Sequence, residues 1–346
     1  MVPTPRPAVS IVIPTHSEHR WSSLFRTVAS AKGQEYAPAE IVVVVDHNPA
    51  LYRRARRDLA GVTVLENLYT PGVSGNRNTG AFHTRTSLIA FLDDDTIAAP
   101  EWLTHLVRPF EDPTVVGTGG GINPAFEGPR PRWMPDEFLW AVGGSYTGMP
   151  TTTAPVRNVW SASMVVRRDV FMAVGGFRTG FGKVGNRARP EDTELCLRMS
   201  AAGGGHWMYV PEAVIRHEVP ANASTFSFFL RRCYAEGRGK VQMAGLLGES
   251  DTLGAERDYL RRTLPRALAR NIAAAGLGRG VSHALRAGTV VAGVAAAGFG
   301  GAVESFAGFR ADHRRPHGSS AGTTRCPPAG SGCRACRSRC GTRRPP

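Results

Sequence analysis

The stretch "SLIAFLDDDTIAAPEW" (Ser87–Trp102) runs from an apolar segment straight into three adjacent carboxylates, Asp93, Asp94 and Asp95. The apolar part reads as a strand buried on both faces. Like charges side by side repel, and a carboxylate near a core is costly unless a cation compensates it. Either the three fan into solvent at a turn capping a helix that begins near Pro100, or they hold a metal ion. In the second reading they offer oxygens to Mg2+ or Mn2+ and leave positions for water and a diphosphate. A bare Asp-x-Asp is weak by itself, so the neighbouring sequence has to decide.

Working outward, "AVSIVIP" (8–14) and "EIVVVVD" (40–46) read as buried strands, with Leu24, Val28 and Ala31 at helical spacing between them. "ALYRRARRDLA" (50–60) reads as a second helix and "VTVLE" (62–66) as a short strand; "GVSGNRNTGAFHTR" (72–85) reads as a loop that enters a helix. Strands alternating with helices predict an α/β fold with a parallel, doubly wound sheet. Ligands of such sheets sit beyond the carboxyl ends of the strands. Asp46 and Asp93–Asp95 both occupy such ends, which favours the functional reading.

From Pro124 to Pro155 the chain becomes irregular and rich in Pro, Gly and Trp. A strand at "RNVWSASMVVR" (157–167) and a helix at "RDVFMAVGGF" (168–177) follow, then a helix at "EDTELCLRMSAAG" (191–203) with acidic residues in its first turn. "HWMYVP" (206–211) and "AVIRHEV" (213–219) read as two strands, "STFSFFLRRCYAEGRGK" (224–240) as an amphipathic helix, and 253–275 and 281–300 as Arg- and Ala-rich helices. Glu191 and Asp192 have two readings: N-terminal capping, or a general base where an acceptor hydroxyl approaches. His217 is either a satisfied structural histidine or a metal ligand. Trp133, Trp140 and Trp160 are either core or aromatic faces for a ligand.

The length suits one large domain or two small ones, and no internal repeat is visible. Of the formal charge of +14, +8 falls in 310–346, which carries nine Arg and one Asp. The remaining +6 is modest for its length and carries no nucleic-acid signal. Cys333, Cys336 and Cys340 lie in that tail without a second well-spaced pair or a hydrophobic mini-core, so disorder is expected there rather than zinc. Two body cysteines, Cys196 and Cys233, and the lack of a signal-peptide pattern fit a reducing, cytoplasmic setting. "GTVVAGVAAAGFGGAV" (288–303) is Gly-rich and shorter than the roughly 20 residues a membrane span needs, so a packed or surface-lying helix is expected.

Taken together, "VSIVIPTH", "EIVVVVDHNP", "GVSGNRNTGA", "IAFLDDD", "SASMVVRRDVFMAVGGF" and "EDTELCLR" resemble family 2 glycosyltransferases, inverting nucleotide-sugar enzymes, over about residues 8–240. The resemblance implies a Rossmann-like A-type glycosyltransferase fold, a mostly parallel central sheet flanked by helices, with a helical C-terminal extension. The expected domains are a catalytic domain (1–240, with a nucleotide-sugar half at 8–122 and an acceptor half at 123–240) and, from pattern and composition, a helical extension (241–309) and a disordered basic tail (310–346). It implies that Pro14, Thr15 and His16 line the nucleotide site and that Asp46 meets the base or ribose, with His47 where an acidic neighbour is usual. Arg77 and Asn78 belong to a loop closing over the nucleotide, and Asp93 and Asp94 to the donor site. Asp95, Asp93 and His217 correspond to the metal ligands, Asp192 beside Glu191 to the catalytic base, and Gly175–Phe177 to the turn before the acceptor loop.

The implied partners are a nucleotide-diphospho-sugar, UDP-sugar by default, and a carbohydrate, lipid-linked or small-molecule acceptor. The expected setting is cell-surface glycan assembly, with peripheral contact between the C-terminal helices and the inner face of the membrane. A processive synthase would carry Gln-x-x-Arg-Trp and several spans, and a nucleotidyltransferase a Gly-rich loop after the first strand; "PTHSEHRW" (14–21) is no such loop. Transfer to a small secondary metabolite and a non-catalytic nucleotide-sugar-binding role remain as alternatives.

Overall fold

Four apolar runs form the first half of the sheet: β1 (Val9–Thr15), β2 (Glu40–Val45), β3 (Thr63–Glu66) and β4 (Leu88–Leu92). They pair in parallel in the spatial order β3-β2-β1-β4. The structure, a computed structural model, describes residues 6–184, 187–247 and 257–313. Side chains alternate across a strand, so Ile11, Ile13, Val43 and Val45 join one core cluster and Val12, Val42, Val44, Ile89 and Phe91 the other. On the first face lie α1 (Trp21–Lys32), α2 (Pro49–Asp58) and α4 (Trp102–Val107). On the second lie α3 (Val73–His83), α5 (Arg168–Ala173) and α6 (Glu191–Gly203). Burial on both faces explains why these strands read as continuous Val, Ile and Leu.

The second half of the sheet is mixed. Beyond β4 come β8 (Ser163–Arg167), β6 (Val115–Phe126), β11 (His206–Val219) and β5 (Thr96–Ala98), with β7 (Ala154–Val156) also on β11. β8 is antiparallel to both its neighbours, while β6 and β11 are parallel. A small hairpin, β9 (Gly182–Val184) and β10 (Arg187–Arg189), precedes α6. β6 is Gly-rich because β11 crowds it: a Cβ on Gly117 would overlap the Trp207 indole.

Several sequence expectations are corrected. The two strands expected at 206–219 are one, β11, interrupted by a register shift between Val210 and Val214. The strand expected from Arg157 begins only at Ser163. Helix α3 starts at Val73, entered through Gly72 at φ 143, so Arg77 and Asn78 sit on a buried helix and not in a loop. The last apolar stretch belongs to a helix of 33 residues, of which Val281–Ala307 is long and apolar enough to cross a membrane by length and composition.

That helix, α9 (Val281–His313), packs with α7 (Phe226–Leu247), α8 (Leu264–Gly276) and the 3-10 segment Asp136–Val142 around Phe138, Phe229, Cys233, Leu264 and Val290. Gly237 and Gly300 let the α7 and α9 backbones meet, each facing a main-chain carbonyl of the other helix. The chain divides into two units after Phe306; the second is described only over 307–313, the end of α9. The expected disordered tail and its cysteines, from 314 on, lie outside the described residues.

Candidate active site

Each carboxylate of the triplet meets an arginine, Asp94 and Asp95 sharing one. Asp94 turns inward, only 3% exposed, and accepts hydrogen bonds from Thr15 Oγ1 at 2.6 Å and Arg20 Nη1 at 2.8 Å. Asp93 accepts one from Arg77 Nη2 at 2.7 Å. Asp95 lies 3.0 Å from Arg20 Nη1, and its Oδ1 is 3.6 Å from His217 Nε2. The turn is closed by Thr96 Oγ1, which donates to the Asp93 carbonyl at 2.7 Å. Two arginines therefore supply the compensating charge that the sequence demanded. Burial pushes the Asp95 carboxyl up to about 6, against the pull of His217 and Arg20.

Asp46, at the end of β2, accepts from Asn67 Nδ2 at 2.7 Å and the Gly72 amide at 2.8 Å, and lies 2.8 Å from His47 Nδ1. It thus latches the entry to α3. Pro14 and Thr15 end β1; Thr15 is buried by its bond to Asp94, while His16 is exposed.

The centre of the site is Arg77, 2% exposed. Its Nη2 holds Asp93, its Nη1 is 3.4 Å from Glu191, and its guanidinium lies 5.5 Å from the Phe177 ring centroid. Burial opposes its charge, but Asp93, Asp192 and Glu191 outweigh that and raise its pKa. Glu191 and Asp192 open α6, in the first turn, where the helix dipole favours negative charge. Burial, then the Asp192 charge, pushes Glu191 up to about 7. Burial also raises Asp192, with Arg77 and a hydrogen bond from Ser161 pulling the other way. Asp192 Oδ1 is sealed from solvent and has no hydrogen-bond partner. A buried acceptor without a partner is costly and calls for a ligand group to fill it.

The donor set fits a divalent cation with two protein ligands. Two groups each about 2.1 Å from one ion stand roughly 3–4 Å apart, which matches the Asp95–His217 separation of 3.6 Å. His217 Nδ1 is buried without a partner. Among the described residues no group of three or more His, Cys, Asp or Glu side chains is arranged to hold a metal alone, and Asp93 is turned toward Arg77. Such a site leaves most positions to water and phosphate oxygens, as Mg2+-type sites do.

Other candidates serve the frame. Asn78 exchanges two hydrogen bonds with the Phe177 backbone, at 2.7 and 2.8 Å, and so clamps the Gly175–Phe177 turn. Glu194, buried and bound by Arg178 and Arg198, fixes the same turn, because Arg198 also donates to the Val174 and Gly176 carbonyls. Phe177 is packed against Phe91 and Phe171 and is not offered to an acceptor. Trp133 packs on Phe226 and Phe229, Trp140 donates to Tyr259, and Trp160 lies 6.2 Å from Tyr146. A cavity of about 560 Å3 lined by His105, Asp112, His206 and Glu212 holds none of the strand-end carboxylates; one of about 400 Å3 backs onto Asn78 and Phe177. Sequence reasoning missed Arg20 and Ser161; the only signal for Arg20 was the charge of the triplet itself.

Residues 10–175 match the family model described as glycosyl transferase family 2. A glucosyl-dolichyl phosphate glucuronosyltransferase of Haloferax volcanii is 32% identical over 240 residues, 68% of this chain and 77% of that protein. The chain belongs to glycosyltransferase family 2. The succinoglycan biosynthesis protein ExoM of Rhizobium meliloti is 23% identical over 66% of this chain and 73% of its own length. Among solved structures, a Pyrobaculum calidifontis mannosyltransferase in complex with GDP-Man and Mn2+ superposes with a TM-score of 0.56 at 20% identity, covering 88% of each chain. That likeness shows the A-type glycosyltransferase fold, and this family 2 member is a glycosyltransferase.

Proposed function

We propose that this enzyme moves a sugar from a nucleotide-diphosphate donor to an acceptor hydroxyl in one inverting displacement. The observation that carries the reading is the Asp192 carboxylate. Its Oδ1 is buried, without a partner, and shares Arg77 with Asp93 of the triplet. An in-line displacement needs a base on the acceptor side and positive charge on the leaving-group side, joined by a rigid platform. Asp192 takes the hydroxyl proton, and its raised pKa strengthens it as a base. Arg77 holds the acidic start of α6 against the end of β4, so the two sides keep their spacing. Arg20 balances Asp94 and Asp95 from the third side.

Asp95 and His217 would hold Mn2+ or Mg2+, whose charge supports the departing diphosphate when bound, while Asp93 stays on Arg77. Asp46 and the end of β1 are assigned to the nucleotide, UDP-sugar being the first donor to test. The Haloferax relative is named for a glucosyl-dolichyl phosphate and ExoM for succinoglycan biosynthesis; both support glycan or glycoconjugate assembly, and the first supports a lipid-linked acceptor. The test is the anomeric configuration of the product by NMR, with and without a chelator. Inversion that stops on chelation is expected; retention, or turnover indifferent to the chelator, overturns the reading.

A further inference from the structure

The C-terminal helix has two unlike faces. One is packed: Thr289 and Val290 are buried, Gly293 sits against Phe138 and Phe229, and Gly300 against the Tyr234 backbone. Arg238 pairs with Glu304 on that side at 2.6 Å. The opposite face carries Val281, Leu285, Val291, Ala295, Phe299 and Phe306, all exposed, the two phenylalanines by 66% and 72%. Up to Phe306, Ser305 is the only polar residue among the exposed positions of α9. At 1.5 Å per residue the stripe is roughly 39 Å long, far beyond the scattered apolar exposure of an ordinary surface.

We propose that this face lies on an anionic lipid bilayer, with α9 parallel to the membrane plane. Charge selects the occupant. Residues 257–306 carry seven Arg against Asp258 and Glu304, and the sequence that follows, 310–346, adds nine Arg and one Asp. An apolar stripe in a chain region of net positive charge has the two components that hold a protein at a negatively charged leaflet. A second copy seated on the same face would bring together two chains that each carry a large excess of positive charge. A spanning orientation would strip α9 from Phe138, Phe229 and the Arg238–Glu304 pair, so the helix rests on the bilayer while its inner face stays packed. The assignment is independent of the donor, the acceptor and the catalytic base.

The test is sedimentation of the full chain with vesicles of phosphatidylcholine alone or mixed with phosphatidylglycerol, without substrate. Binding to the mixed vesicles, weaker at high salt, is expected. Phe299→Glu combined with Phe306→Glu should weaken it by at least about tenfold, since each ring loses its lipid contact. Phe25→Glu, at an exposed phenylalanine on α1, should leave binding unchanged. Circular dichroism and melting confirm that the variants fold, and Val291→Glu gives an independent substitution on the same stripe. The proposal fails if the chain ignores vesicles, binds both kinds equally, or binds as before in the α9 variants. It also fails if sedimentation without lipid shows a dimer that the α9 variants abolish.

Discussion

Arg77 carries a positive charge in a place where burial alone would remove it, because three carboxylates surround it. Replacing it with Met leaves the partly buried Asp93 and Glu191 without the buried cation they share. Breaking a buried pair in this way costs about 3 kcal/mol, measurable as a lower urea midpoint. The same change removes the charge that holds the Asp192 pKa down, so the acid limb of the pH profile for kcat/KM should move to higher pH. A limb that stays in place would separate Arg77 from the base. Arg20→Met exposes a different dependence. Asp94 and Asp95 lose their shared cation, so the melting temperature should fall, and added Mn2+ should raise it more than in the wild type. An equal Mn2+ response in both would show that Arg20 and the cation do not share these oxygens.

At the scale of the element, α6 begins with two adjacent acids, and the dipole and Arg77 do not fully offset their burial. Glu191 has a folded pKa of about 7, above its usual 4.5. The folded state therefore binds a proton that the unfolded chain has already released, and this group erodes stability as pH rises between those values. Glu191→Gln should melt higher than the wild type above pH 7, the difference vanishing below about 4.5. A constant difference at every pH would assign the effect to packing. Gly300, where α9 meets the α7 backbone, has no room for a larger side chain, and Gly300→Val should cost about 1–3 kcal/mol by overpacking, read as a lower melting temperature.

Across the whole molecule, what was legible in the sequence was whatever repeats locally. The Val- and Ile-rich runs of β1, β2 and β4 declared a doubly covered sheet, and their ends located Asp46 and the triplet. The partners of those ends were not legible, because they come from distant segments: Thr15 and Arg20 are 79 and 74 residues from Asp94, and Arg77 is 114 from Glu191. Strand length also failed where tertiary pairing decided it, as in β11, whose bulge looks like a break at Pro211 and Glu212. Helix α9 runs past the expected 281–300 to His313, and its Gly293 and Gly300 are contact points. Arg77 on α3 joins the end of β4 to the start of α6, and the proposed chemistry rests on the Asp192 carboxylate there. The direct measurement is nucleotide-diphosphate release by Asp192→Asn beside the wild type, with donor binding followed by thermal shift. Release should fall by about 100- to 10,000-fold while donor binding persists; release at the wild-type rate would remove Asp192 as the base.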